Sequence, residues 1–151
     1  MKKTLIAAAA LAALLCGTAA HAGDFAITPM KDGDTFIGCL AQNTTAGLGY
    51  LAVGDKLALF ANTDKFAIAK GDQVKGTWSV DGGTAADFSA TADSDHTATI
   101  DVPNASESVV ALTTGKELTI KANGTEATLP LEGTEEAFTE LMACMQSQGA
   151  E

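Results

Sequence analysis

The stretch Glu117–Leu131, ELTIKANGTEATLPL, reads as two strands folded about one turn. Asn123-Gly124 is the strongest two-residue hairpin signal, because a type I′ turn requires positive φ at both central positions. Folding about that pair sets Ala122 opposite Thr125, Ile120 opposite Ala127 and Leu118 opposite Leu129. The apolar side chains then share one face. On the other, Lys121 meets Glu126 and Thr119 meets Thr128. Turn chemistry and alternation agree on one register, and a slip of one residue would turn the apolar face outward.

Working outward from this hairpin, short alternating segments recur between clusters of Gly, Asp and Asn. FAITPM (Phe25–Met30) reads as a first strand. DTFIGCLAQ (Asp34–Gln42) reads as a second, with Ile37, Cys39 and Ala41 on one side. YLAVGDKLALFA (Tyr50–Ala61) folds at Gly54–Lys56, setting Val53 opposite Leu57 and Leu51 opposite Leu59. DQVKGTWSVDGG (Asp72–Gly83) places Val74, Trp78 and Val80 on one face with Gly76 between them. FSATADSDHTATIDV (Phe88–Val102) pairs Phe88, Ala90 and Ala92 with Ala98, Ile100 and Val102 across a five-residue loop, Asp93–Thr97. The expected fold is mainly β: an antiparallel β-sandwich or barrel-like sheet with one short helix and a C-terminal helix packed on it.

The short helix is SESVVALTTG (Ser106–Gly115), with Ser106 as its cap, Val109 and Leu112 inward and Gly115 as terminator. The second lies in LEGTEEAFTELMACMQ (Leu131–Gln146). Thr134 is its expected cap, and Glu135 and Glu136 sit in the first turn, where the helix dipole favours anions. Ala137, Phe138, Leu141, Met142, Cys144 and Met145 cluster at helical spacing, so Cys144 lies on the apolar side.

Residues 1–22 carry a basic MKK, an apolar run with many alanines and a small-x-small AHA at Ala20–Ala22. This is the pattern of a cleaved bacterial secretory signal, leaving one domain over residues 23–151. A membrane anchor competes, but the apolar run is short. Lipid attachment at Cys16 also competes, but Leu15 before it is not small. The expected location is the periplasm, with secretion as the second choice. Without the signal, seven lysines and no arginine face 19 carboxylates, a formal balance of seven minus 19, or −12. Such a surface repels nucleic acid, and the side chain best suited to bidentate phosphate recognition is missing. No later run reaches the length of a membrane span.

Of three cysteines, Cys16 leaves with the signal. Cys39 and Cys144 remain in an oxidising compartment, where one pair has one intramolecular connectivity. The expected disulfide is Cys39–Cys144; two buried free thiols are the alternative.

Little else points to catalysis. His96 is the single histidine beyond the signal, in ADSDHTA. Adjacent Ser94, Asp95 and His96 do not make a triad, because the base must face the nucleophile while a third group orients it. A polar hairpin tip explains them. With both cysteines bonded, tetrahedral zinc lacks its usual ligands. Asp32-Gly33-Asp34 and Asp93-Ser94-Asp95 do not continue into a full calcium loop. No metal, cofactor or catalytic residue is expected. The sequons at Asn43, Asn104 and Asn123 read as accidental beside a bacterial-type signal.

The order FIGCLAQ, LALFANTDKFAIAKGDQVKGTWSVDGG, LTTGKELTI and LPLEGTEEAFTELMACM resembles small exported proteins of the invasion-associated locus B type, over roughly residues 36–145. The terminal stretch carries the likeness: an apolar β-segment, a small-residue turn, and an Ala/Phe/Leu helix with a late cysteine. The resemblance implies a periplasmic β-sandwich or barrel-like domain covered by helices. The family is named for host-cell invasion, and it supplies no catalytic motif to transfer.

The resulting expectation is a monomeric, non-enzymatic binding domain whose partner is a protein or envelope component of basic character. Its binding loops would be Asn43–Gly49, Gly82–Asp87 and Asp93–Thr97, with Asn43, Asp87, Asp93, Asp95 and His96 as contact residues. The alternative is an inhibitor of a basic hydrolase such as lysozyme, steered by acidity. A third class, a hydrolase using a carboxylate pair, requires two carboxylates flanking the substrate. Mass spectrometry of the non-reduced protein should show Cys39 and Cys144 in one cross-linked peptide; two freely alkylated thiols would overturn the pairing.

Overall fold

Asn123 and Gly124 adopt φ of 52° and 76°, as a type I′ turn requires. The strands beside them pair in the register read from the sequence, from Ala122 opposite Thr125 to Leu118 opposite Leu129. Lys121 and Glu126 form an ion pair of 3.1 Å on the solvent face. The computed structural model describes residues 24–103 and 105–148. The expected export signal with Cys16, and the Asn104 sequon, lie outside the described residues.

The elements run β1 (Ala26–Asp32), β2 (Thr35–Asn43), β3 (Leu48–Val53), β4 (Lys56–Asn62), β5 (Gln73–Val80), β6 (Ala86–Ser94), β7 (Thr97–Asp101), α1 (Ala105–Thr114), β8 (Glu117–Ala122), β9 (Thr125–Pro130) and α2 (Thr134–Ser147). All strand pairs are antiparallel, in the order β1-β2-β3-β4-β7-β6-β5-β8-β9, and the sheet is open. β6 divides its pairing. Residues 86–91 pair with β5, while Ala92 and Ser94 pair with Ala98 and Thr97 of β7 across a bulge. This strand therefore joins two halves of one sheet. A single core draws Cys39, Tyr50, Leu59 and Ile100 from one half and Val74, Trp78, Leu118 and Leu129 from the other. The expected mainly β, sandwich-like architecture with two helices is the observed one.

Several local expectations are corrected. The β3–β4 turn holds two residues, Gly54 and Asp55, so Val53 faces Lys56 and Tyr50 faces Leu59. Gly54 has φ 59°, and glycine at the first central position is the signature of a type II′ turn. The shift by one residue puts Leu48, Tyr50 and Ala52 in the core and leaves Val53 39% exposed. In β2, Cys39 and Ala41 are buried as expected, but Ile37 is 43% exposed. Met30 pairs with Gly38 and Lys31 with Phe36, so Ile37 is the extra residue of a bulge. The expected pairing of β6 with β7 holds at Ala92 opposite Ala98 and does not extend to Phe88 and Ala90, which pair with Gly76 and Val74 of β5. The connection to β7 shortens to Asp95-His96, with His96 at φ 71°.

Both helix caps also differ. α1 begins at Ala105, so Ser106 lies inside it, while the Gly115 N–H closes on the Ala111 carbonyl as a terminator should. α2 is capped by Gly133, with φ 80° and no side-chain bond. Thr134 is the first helical residue and is buried. Its hydroxyl is 3.2 Å from the Tyr50 hydroxyl instead. Tyr50 also meets Phe138 at 4.6 Å and Phe25 at 5.8 Å between ring centroids. α2 thereby packs on β1, β2 and α1. The Cys39–Cys144 disulfide closes the same contact, with Cα atoms 6.3 Å apart and a sequence separation of 105.

Two consequences are measurable. Gly76 lies where β5 and β8 approach; a β-carbon there would be driven into the Lys121 carbonyl oxygen. Gly76→Ala should cost about 1–3 kcal/mol, read as a lower urea midpoint. Tyr50 is the only tyrosine in the chain, and burial pushes its phenol up, against a smaller lowering by Thr134. Raising the folded pKa leaves stability unchanged below the ordinary phenol value of about 10 and erodes it above, where the unfolded chain loses its proton first. The native protein should therefore show no phenolate absorbance one unit above that value, while the urea-unfolded chain titrates normally. Tyr50→Phe should flatten the alkaline fall in stability.

Candidate functional site

The antiparallel order gives the sheet two ends. One carries the connections 44–47, 63–72, 95–96 and 123–124; the other carries 33–34, 54–55, 81–85, α1 and the start of α2. The proposed binding loops are split between them. Asn43–Gly49 and Asp93–Thr97 lie at the first end, and Gly82–Asp87 at the second.

The residues singled out in those loops hold their own turns. Asn43 is 2% exposed, and its Oδ1 accepts from the Ala46 N–H at 2.9 Å. Asp93 accepts from the Thr99 hydroxyl at 2.6 Å, and Asp95 from the Lys70 N–H at 3.3 Å. His96 donates from Nδ1 to the Phe66 carbonyl at 2.9 Å. Asp87 is not in a loop; it is an exposed β6 residue opposite Thr77. The 63–72 connection thus ties the His96 turn to the rest of this end. A polar cleft of about 490 Å³ runs between residues 42–47 and 62–65, with Leu129 at its side. Its floor is held by the Asn62 N–H on the Gly47 carbonyl and by the Asn43 turn. Among the described residues, no three His, Cys, Asp or Glu side chains gather to hold a metal ion, and no helix is long and apolar enough to cross a membrane.

The helical end has a different character. A groove of about 670 Å³ opens between three walls. The β3–β4 hairpin supplies Ala52, the turn residues Gly54 and Asp55, and Lys56 and Leu57 of β4. α1 supplies Ser106, Val109 and Thr113. α2 supplies Glu135, Phe138, Thr139, Met142 and Met145. The two threonine hydroxyls donate to their own helices, Thr113 to the Val109 carbonyl at 2.8 Å and Thr139 to the Glu135 carbonyl at 3.0 Å. Those protons are engaged in the backbone, so the walls present mainly hydrocarbon and sulfur. The volume falls within the range of small-molecule and peptide-anchor sites.

α2 lines this groove because its apolar surface exceeds what the core accepts. Ala137, Phe138 and Leu141 are buried with Thr134. At 100° per residue, the apolar set from Ala137 to Met145 spans an arc of roughly 160°, against the ~100° a helix needs to cover a core. The surplus is Met142, which is 51% exposed, with Met145 half-buried beside it. The sequence reading placed both in the core cluster; for Met142 that is corrected. The arc width was the available signal.

The fold has a known counterpart. The crystal structure of invasion associated protein B from Bartonella henselae is similar, with a TM-score of 0.55 and 15% sequence identity, over 85% of this chain and 97% of that one. The likeness is one of fold. No protein-family model matches the chain, and no curated protein matches it at a significant level. The resemblance read from the terminal stretch thus agrees with the backbone as a whole.

Proposed function

We propose that this protein is an exported, non-enzymatic binding domain of the periplasm, and that the groove between the β3–β4 turn, α1 and α2 is its binding face. The observation that carries the reading is the 51% exposure of Met142 at the mouth of an otherwise apolar groove. The support comes from the setting of that side chain, a concave and mainly apolar groove of about 670 Å³, the usual form of a ligand or peptide-anchor site. Methionine suits the role, because its flexible thioether adapts to partners of differing shape.

Location in the periplasm is supported by the signal pattern of residues 1–22 and by a disulfide, which persists in oxidising compartments. The fold likeness to an invasion associated protein is consistent with an exported role. The non-enzymatic reading is supported by the engagement of Asp93 with Thr99 across its hairpin and of Asp95 and His96 with the 63–72 connection. Inhibition of a basic hydrolase is a narrower form of the same reading; it draws on the acidic surface and adds no site of its own.

The neutral fluorophore N-phenylnaphthylamine tests the groove. Its emission should rise on mixing with the purified disulfide-bonded protein. Met142→Glu should weaken that binding at least about tenfold, the loss expected for one apolar anchor. Met142 is exposed, so the variant should keep the wild-type melting temperature. Equal binding by the two proteins, or none by either, would remove the groove as the binding face.

A further inference from the structure

The groove has a charge pattern as well as a shape. α1 carries Glu107 and no lysine; α2 carries Glu135, Glu136 and Glu140 and no lysine. Glu135 and Asp55 line the groove, both exposed, and Lys56 is the one cation among its lining residues. The chain around them has a formal charge of −10 before any processing. The local field is therefore negative around an apolar trough. The trough also has a direction. Glu135, Phe138, Met142 and Met145 follow one another along one line of α2, about 15 Å at the helical rise of 1.5 Å per residue. Across from them stand Ser106, Val109 and Thr113 of α1.

We infer that the occupant is a cationic amphipathic segment of another protein, with apolar anchors at helical spacing and Lys or Arg flanking them. This rests on the groove being the binding face. The three apolar side chains Phe138, Met142 and Met145 span about 10 Å of that line, which matches two turns of a partner helix laid in a groove, whose anchors recur at i, i+3 or i+4 and i+7. The rim decides among apolar occupants. An anionic amphiphile or an anionic bilayer would approach two carboxylates and a negative surface with one lysine to offset them. A basic segment gains from the same charges, in association rate and in orientation. Rim pairs are exposed, so their part of the affinity falls with salt, while the apolar part does not.

Three labelled peptides of equal length separate these contributions: an amphipathic Leu/Lys helix, its Leu/Glu counterpart, and a scrambled Leu/Lys peptide of the same composition. Fluorescence anisotropy with the full disulfide-bonded protein should show the Leu/Lys helix binding at least about tenfold tighter than either of the others. Met142→Gln should weaken the Leu/Lys helix at least about tenfold, whereas Thr128→Gln, a change on the exposed face of β9, should leave its affinity in place. The double variant Asp55→Asn, Glu135→Gln should weaken the Leu/Lys helix several-fold and flatten its salt dependence. Equal affinity for Leu/Lys and Leu/Glu helices, with the fluorophore still bound in a Met142-sensitive way, would defeat the charge inference and keep the groove. Equal affinity for the scrambled peptide would reduce the effect to bulk electrostatics and also overturn it. Loss of fluorophore and peptide binding together would overturn the groove itself.

Discussion

The contact between α2 and the β1–β3 end of the sheet is the constraint on which the rest depends. Cys39 is fully buried on β2, and its bond to Cys144 joins residues 105 positions apart. By the chain-entropy argument, closing a loop of that length removes about 4.7 kcal/mol of unfolded-state freedom. The bond does not act alone. Tyr50 packs on Phe138 and Phe25 and shares a hydrogen bond with Thr134, so the first and later turns of α2 are held by different means. Together they fix which face of the helix enters the core. The remaining face, with Met142, is left outward by the same geometry.

A second constraint is the divided pairing of β6. A strand that pairs with β5 along its first part and with β7 at its end lets one antiparallel sheet enclose a core from two sides without closing. Its edges, β1 and β9, each contain a proline, Pro29 and Pro130, which cannot donate to a further strand. The helices then gather at one end, beside the 33–34, 54–55 and 81–85 turns, and the remaining turns at the other. The turn end is polar and internally bonded, whereas the helical end is apolar and open. The candidate site follows from this topology rather than from a motif.

Acidity gives that apolar surface a direction of use. A chain with 19 carboxylates and no arginine disfavours nucleic acid and anionic lipid. The same charges steer a basic partner toward any face that can bury its apolar residues. Disulfide, β-rich scaffold and acidic helical layer are consistent with the exported binding domain proposed above, and the fold is similar to that of an invasion associated protein at 15% identity.

Much of this was legible from residue order. The Asn123-Gly124 turn and its register, the mainly β class, the two helices and the Cys39–Cys144 pairing follow from local chemistry and from the arithmetic of two remaining cysteines. Where only tertiary packing discriminates, the reading missed. The Gly54 turn could take two residues or three, and the burial of Tyr50 over Val53 decided it. Thr134 had the chemistry of a cap, but a buried tyrosine hydroxyl competed for its oxygen. Asp95 and His96 form the hairpin tip read from ADSDHTA, but their bonds to Lys70 and Phe66 were not legible, because a loop's neighbours across the fold do not show in its own sequence. Met142 and Met145 have the same periodicity as core residues. How much of an apolar arc the sheet covers depends on the width of its partner surface, which no local pattern contains. The sequence by itself determined the strands, the covalent tie and the charge; only the tertiary structure decided which apolar side chains remained exposed, because burial is a property of what packs opposite.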